Sequence, residues 1–162
     1  MKLELEVISV DKPQDLNVII GHSHFIKTVE DIYEVLIGSM PSIKFGLAFA
    51  EASGKCLVRT EGNDENLKKI ATENILSIGC GHMFFIALEL AYPINVLNQI
   101  KNIPEVCRIF CASANPIEVI VAQSKMGRAF LGVVDGSSPK GVEEESDISW
   151  RRDLLRKIGY KR

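Results

Sequence analysis

The order of the sequence elements predicts a single α/β domain, three layers deep (α/β/α) around a mixed sheet. Amphipathic helical stretches alternate with strand-like runs over the first two thirds of the chain, and the last strands follow one another directly. The 162 residues are 46% hydrophobic and 25% charged, enough apolar matter for one core and too much for a disordered chain. No repeat, low-complexity tract or linker divides the sequence, so residues 1–162 read as one unit.

Residues 2–9 alternate, with Leu3, Leu5 and Val7 on one face and Lys2, Glu4 and Glu6 on the other, which describes a half-buried strand with one wet face. After the turn at Lys12-Pro13-Gln14-Asp15, residues 17–21 form a short buried strand. A helix follows, with Thr28 as its N-cap and Glu30 and Asp31 facing the positive end of its dipole. Val29, Ile32, Tyr33, Leu36 and Ile37 make one core-facing stripe. Residues 44–51 and 55–60 read as strands joined by an Ala52-Ser53-Gly54 hairpin turn. Asn63-Asp64 then caps a long helix that Gly79 and Gly81 end near Ile78. The apolar run 83–88 suits a central buried strand, and Pro93 opens a helix that Pro104 stops. Strands at 106–112, 117–123 and 129–134 are separated by turns at Asn115-Pro116 and Lys125-Met126-Gly127. A polar loop leads to a last helix over 148–158, expected to pack by its Trp150, Leu154 and Ile158 edge.

Composition excludes several classes of function. The net charge of −2 speaks against a nucleic-acid binder driven by phosphate neutralisation. Six basic residues between Arg151 and Arg162 suit a helix C-terminus instead. No apolar run has bilayer-spanning length and the first six residues are not a signal peptide, so a cytoplasmic protein away from membranes is expected. Cys56, Cys80, Cys107 and Cys111 form no C-x-x-C pair. They read as buried apolar thiols, with the last two on one strand face, and no structural metal is expected. A slightly positive mean hydropathy favours a homo-oligomer that covers apolar surface.

The chemistry concentrates in Gly21-His22-Ser23-His24-Phe25-Ile26-Lys27-Thr28, where a buried strand gives way to a helix. Two of the three histidines and a lysine meet there beside free helix N–H groups, as a phosphate-handling site requires. His24 can act as base, nucleophile or phosphoryl carrier, and Lys27 can hold phosphate oxygens. His82, behind Gly79-Cys80-Gly81, gains weight only if it lies near His24 in space. No G-x-x-x-x-G-K-[ST] loop and no G-x-G-x-x-G fingerprint is present. Residues 132–141 form a loop with an acid, two hydroxyls and a lysine, suited to a lid or to a plain solvated connection.

Residues 17–21 with His24-Phe25-Ile26-Lys27-Thr28-Val29-Glu30-Asp31 resemble the adenosine-specific kinase family. So do Phe45-Gly46-Leu47-Ala48-Phe49 with Glu51-Ala52-Ser53-Gly54-Lys55, Cys80-Gly81-His82, and Tyr92-Pro93-Ile94-Asn95-Val96-Leu97. Ala114-Asn115-Pro116, Gly132-Val133-Val134-Asp135-Gly136 and the closing residues 153–161 complete a likeness that covers almost the whole chain. His22 departs from the family pattern, which leaves His24 the better candidate.

The resemblance implies a small cytoplasmic, trimeric protein that binds adenosine or AMP and carries a phosphotransferase activity. By motif matching it places Ser53, Lys55, His82, Tyr92, Asn95, Asn115 and Asp135 in the substrate pocket. The catalytic pair is then His24, as a phosphohistidine, and Lys27. Donor and metal stay open at this point: Mg2+ with a nucleoside triphosphate is compatible, and no tightly bound cofactor is expected. The alternative is an adenosine- or AMP-binding sensor without turnover. A structural oligomer without ligand is the third reading.

Overall fold

The computed structural model describes residues 3–162, in which eight strands and four helices follow one another. They run β1 (Glu4–Ser9), β2 (Asn17–Ser23), α1 (Thr28–Ser39), β3 (Lys44–Ala50), β4 (Val58–Gly62) and α2 (Glu65–Ile78). Then come β5 (Met83–Glu89), α3 (Pro93–Lys101), β6 (Val106–Ser113), β7 (Ile117–Gln123), β8 (Arg128–Asp135) and α4 (Glu145–Lys157). Lys2, expected at the start of the first strand, lies outside the described residues.

The apolar run of β5 is the middle strand of a five-stranded sheet ordered β4-β3-β5-β2-β6, and a second sheet is ordered β1-β7-β8. Ile19, Phe45, Leu47, Phe49, Phe84, Ile86 and Leu88 cover one face of the larger sheet and pack against α1 and α3. Val18, Ile20, Ala48, Phe85 and Ala87 cover the other, under α2 and the inward side chains Ile117, Val119 and Val121 of the smaller sheet. The three-layer α/β domain is therefore present, with one outer layer shared between a helix and a sheet.

Strand direction explains how an interleaved sequence folds this way. Every ladder inside the two sheets is antiparallel. Helices α1, α2 and α3 nevertheless connect like-directed strands (β2 to β3, β4 to β5, β5 to β6), each time skipping one opposed strand in between. The parallel relation read from the sequence thus holds between second neighbours. Among the described residues, direct parallel pairing is confined to the isolated bridge of Cys80 with Arg128, which ties the two sheets together.

Local signals account for the helix ends. Asp64 accepts from the N–H groups of Asn66 and Leu67 at 3.0 and 3.1 Å and opens α2, while Gly79 closes it at φ 64°. Helix α2 crosses the sheet directly above Gly46, where a Cβ would come within 2.0 Å of the Leu67 backbone, so only glycine fits. At α1 the expectation is corrected: Lys27 occupies the cap position, and Thr28 is the first helical residue. Its buried hydroxyl donates to the Phe25 carbonyl and meets the Ser23 hydroxyl at 2.6 Å, so it staples the junction instead of capping the helix.

Three further expectations are corrected. Strand β1 presents its apolar face outward: Leu3, Leu5 and Val7 are 60%, 71% and 62% exposed. Glu6 turns inward instead, because Arg128 reaches it at 2.8 Å and anchors that register. The pairing of β6 with β2 skips Phe110 and again Cys107, so the strand carries two bulges. Cys56 and Cys107 are exposed, and only Cys80 and Cys111 are buried. Helix α4 begins at Glu145, three residues early, and none of its residues is buried, Trp150 being 66% exposed. No helix among the described residues is long and apolar enough to cross a membrane.

Candidate functional site

Four segments end together at one edge of the five-stranded sheet. These are the end of β2 (His22, Ser23, then His24), the entry to β5 (His82), the exit from β3 (Glu51) and the entry to β6 (Glu105 to Arg108). The second β6 bulge and Gly21 shape this edge. A Cβ at Gly21 would come within 2.3 Å of the Phe84 ring and 2.7 Å of the Arg108 carbonyl.

His82 is the most constrained of the three imidazoles. It holds φ 60°, a left-handed conformation that costs a non-glycine residue about 1 kcal/mol or more. Its own N–H donates to Ala50 at 2.6 Å, and its carbonyl accepts from Ser23 at 2.9 Å, which fixes it there. The ring stacks on Phe49 with centroids 5.8 Å apart, lies 6.1 Å from the His22 ring, and places Nε2 3.4 Å from Glu51 Oε1.

Glu51 is nearly buried, and burial alone would raise its pKa. Hydrogen bonds from the Ser53 hydroxyl (3.0 Å), the Ala52 N–H (3.0 Å), His82 and the Ser53 N–H (3.3 Å) outweigh burial and hold the carboxyl below its usual range. Arg59 adds a guanidinium at 3.5 Å. Glu51 is therefore an anion aimed at an imidazole. His22 shifts down, first through desolvation and then through the neighbouring His82, His24 and Arg108, and this keeps it neutral at pH 7.

His24 is exposed just past β2, where its backbone N–H donates to the Glu105 carbonyl at 3.1 Å and its ring approaches Phe25. Lys27 lies one turn on, its ammonium 2.7 Å from Asp31 and 3.7 Å from Glu105. The hydrogen bond to Asp31 raises the Lys27 pKa. The Glu105 carboxylate is 2% exposed and neither oxygen has a hydrogen-bond partner, so Lys27 is its compensation within salt-bridge range.

Two clefts flank these groups. One, of about 450 Å³, is lined by His22, Arg108, Arg128, Phe110 and Phe130, with the two aromatic rings 4.3 Å apart. The other, of about 370 Å³, is lined by Ile26, Glu51, Ser53, Lys55 and Arg59. His82 connects the His22 wall of the first to the Glu51 wall of the second. Cys80 borders the first cleft, but burial pushes its thiol up to about 11, which leaves it protonated and a poor nucleophile.

Of the residues singled out in the sequence, Ser53, Lys55 and His82 come to the end of the sheet that holds His24 and Lys27. Tyr92, Asn95, Asn115 and Asp135 do not. The β2 ladder sets Asn17 opposite Leu88 and Val18 opposite Ser113, so these four stand at the far end, about 20 Å away. There Asn95 Oδ1 accepts from the Tyr92 N–H at 2.8 Å and caps α3. Asp135 accepts from Ser113 at 2.7 Å and Asn115 at 3.0 Å. A cleft of about 630 Å³ also lies at that end; the charged side chains in its walls are Asp15 and Glu89, and the Lys12 ammonium sits beside it on the Pro13 and Gln14 carbonyls. Sequence reasoning missed Glu51, Glu105, Arg108 and the Phe110–Phe130 pair. Only Glu51, placed directly before the Ala52-Ser53-Gly54 turn, carried a local signal.

A family model described as adenosine specific kinase matches residues 8–161. No curated protein matches the chain significantly. Among solved structures, the PH1918 protein from Pyrococcus horikoshii OT3 is 47% identical over 99% of both chains, with a TM-score of 0.95. Spanning both ends of the sheet and all but the first seven residues and the last, the family match settles the kinship: the chain belongs to the adenosine-specific kinase family.

Proposed function

We propose that this chain transfers a phosphoryl group to adenosine by way of His24. The observation that carries the reading is the convergence of His22, His24 and His82 with Lys27, Arg108 and the Glu51 carboxylate at one end of the sheet. In the first step an imidazole nitrogen of His24 attacks the terminal phosphorus of a nucleoside triphosphate. The P–N bond forms, the bridging P–O bond breaks, and the diphosphate leaves. In the second, the 5′-hydroxyl of adenosine attacks that phosphorus while its proton passes to His82, which Glu51 orients and whose positive charge it then balances. The P–N bond breaks, AMP forms, and His24 is restored. Lys27, the α1 N-terminus and Arg108 offset phosphate charge.

Among the described residues no group of three or more His, Cys, Asp or Glu side chains makes a cage for a metal ion. Magnesium brought with a nucleoside triphosphate would be held mainly by the donor's own phosphates, where it would neutralise charge. The aromatic pair Phe110 and Phe130, with the Arg108 guanidinium 5.8 Å from the Phe110 ring centroid, offers a platform for a purine. The homotrimer implied by the resemblance is part of the same proposal.

One observation favours the alternative, an adenosine- or AMP-binding module without turnover. Lys27 is already neutralised by Asp31 and Glu105, which reduces its capacity for phosphate. Incubation with adenosine, magnesium and terminally labelled ATP separates the two readings. Label in AMP together with acid-labile label on the protein, both lost in His24→Ala, is the expected result. Full transfer by His24→Ala would remove His24 from the carrier role. No label anywhere, with adenosine still binding by calorimetry, would make the sensor the correct reading.

A further inference from the structure

The ammonium of Lys27 is shared between two carboxylates, 2.7 Å from Asp31 Oδ2 and 3.7 Å from Glu105 Oε2. Two acids face one cation, so the cluster is one positive charge short. The shortfall falls on Glu105, which is 2% exposed and has no hydrogen bond at either carboxylate oxygen. A folded chain keeps a bare buried carboxylate only where something compensates it. Lys27 does so poorly, because its side chain is half-exposed and 3.7 Å is beyond hydrogen-bond length.

The geometry around that ammonium suits a different cation. The two carboxylate oxygens lie no more than about 6.4 Å apart, the sum of their distances to Lys27 Nζ. A small hard cation spans such a gap when one carboxylate binds it directly and the other through a water. Magnesium binds in this way, on one or two carboxylates, with waters or phosphate oxygens completing its shell. Two carboxylates make no closed cage, so those further ligands are needed. Asp31 is also a wall of a cleft of about 530 Å³, where Glu34, Gln99 and Asn102 add oxygen atoms and Pro104 leads to Glu105. A donor set built of oxygen favours magnesium over the softer zinc or copper. The positive end of the α1 dipole opposes any cation here, and the acids Glu30 and Asp31 of its first turn offset it.

We propose that Asp31 and Glu105 form a site for a hard divalent cation of the magnesium class, and that Lys27 holds the place of this cation until it arrives. A divalent cation balances both carboxylates, and the Lys27 ammonium, on its flexible stem, then leaves them. The freed ammonium lies at the α1 N-terminus, three residues after His24, where it can take a phosphate oxygen. The same exchange removes the neutralisation that otherwise limits the capacity of Lys27 for phosphate. The cation site stands without the phosphoryl-transfer reading, and only this use of the freed lysine rests on it.

The test titrates Mn2+, a paramagnetic substitute for Mg2+, into the full chain without nucleotide and follows the loss of the free-ion EPR signal. One site per chain is expected, with Mg2+ competing for it, and the amide NMR signals of residues 24–31 and 103–106 should broaden first. Glu105→Gln and Asp31→Asn should each weaken binding by about tenfold or more. Lys27→Met removes the competing ammonium and should tighten binding by about tenfold. This last variant keeps the test decisive should an acid variant fold poorly. No Mn2+ bound by either the native chain or Lys27→Met would overturn the proposal. So would unchanged affinity in either acid variant, weaker binding in Lys27→Met, or broadening centred elsewhere. Binding with the expected signatures in a chain that transfers no phosphate would uphold the site and overturn only the phosphoryl-transfer reading.

Discussion

At one end of β2 stand His22 and His24, with His82 and Glu51 across the sheet. At the other stand Asn115 and Asp135, with Tyr92 and Asn95 beyond the end of β5. Both ends carry polar residues that the family likeness draws into one pocket, yet they differ in what is left to bind. Asp135 accepts at Oδ1 from Ser113 and Asn115, and Asn95 gives its Oδ1 to its own helix cap. The histidine end keeps unspent groups: an exposed imidazole at His24, a neutral one at His22, a strained one at His82, and a buried carboxylate at Glu105 with no hydrogen bond. A folded chain satisfies its polar groups wherever stability alone is at stake, so a cluster left open points to chemistry.

Substitution at each end tests this difference most directly. His24→Ala should lower phosphoryl transfer by about 10³-fold or more, measured as labelled AMP, and leave unfolding by urea unchanged. Asp135→Asn should do the reverse, weakening two hydrogen bonds for about 1 kcal/mol of stability with transfer intact. An Asp135→Asn protein that folds normally but no longer transfers phosphate would show that the far end belongs to the site, across a subunit boundary. Glu51→Gln comes next. It keeps the shape of the side chain and removes the anion facing His82, so turnover should fall about 10²-fold with little change in adenosine affinity. Equal losses in turnover and affinity would make Glu51 a structural brace.

How far the sequence disclosed each end follows from the range of the interactions. Caps, turns and stripes are local, so α2 from Asp64 to Gly79, the Pro93 start of α3 and the central place of β5 were all legible. Strand direction and facing are not. The outward turn of Leu5 goes with the contact of Glu6 to Arg128, more than a hundred residues away, and the two bulges of β6 are set by its pairing with β2. For the same reason the sequence disclosed His24 and Lys27, which are neighbours, but not Glu105, which reaches them only through the β6 pairing.

Glu105 yields a smaller effect of unusual sign. Replacing it with Gln removes a buried charge compensated only by a half-exposed lysine at 3.7 Å, and unfolding in urea should show stabilisation of about 1 kcal/mol. Lys27, released from one of its two acids, should then hold phosphate more tightly, so the affinity for AMP rises. A loss of stability on substitution would mean that the Glu105–Lys27 pair is needed to hold the β2–α1 junction. The histidine end would then be less open than the comparison holds.

The smallest effect is one of pH, and it belongs to His22. Its folded pKa lies below the ordinary value of 6.5, first because desolvation penalises the cation and then because His82, His24 and Arg108 add positive neighbours. Above 6.5 the imidazole is neutral in both folded and unfolded chains and does not affect stability. As pH falls below 6.5 the unfolded chain takes up the proton first, so unfolding becomes easier until the folded pKa is passed. His22→Gln abolishes this uptake while retaining a polar side chain of similar reach. Urea midpoints for the two proteins should run in parallel above about pH 7 and converge or cross as pH falls toward 5, with the variant flatter. Identical slopes would mean that His22 is as free to ionise in the fold as in water, and the neutral imidazole would no longer distinguish this end of β2 from the other.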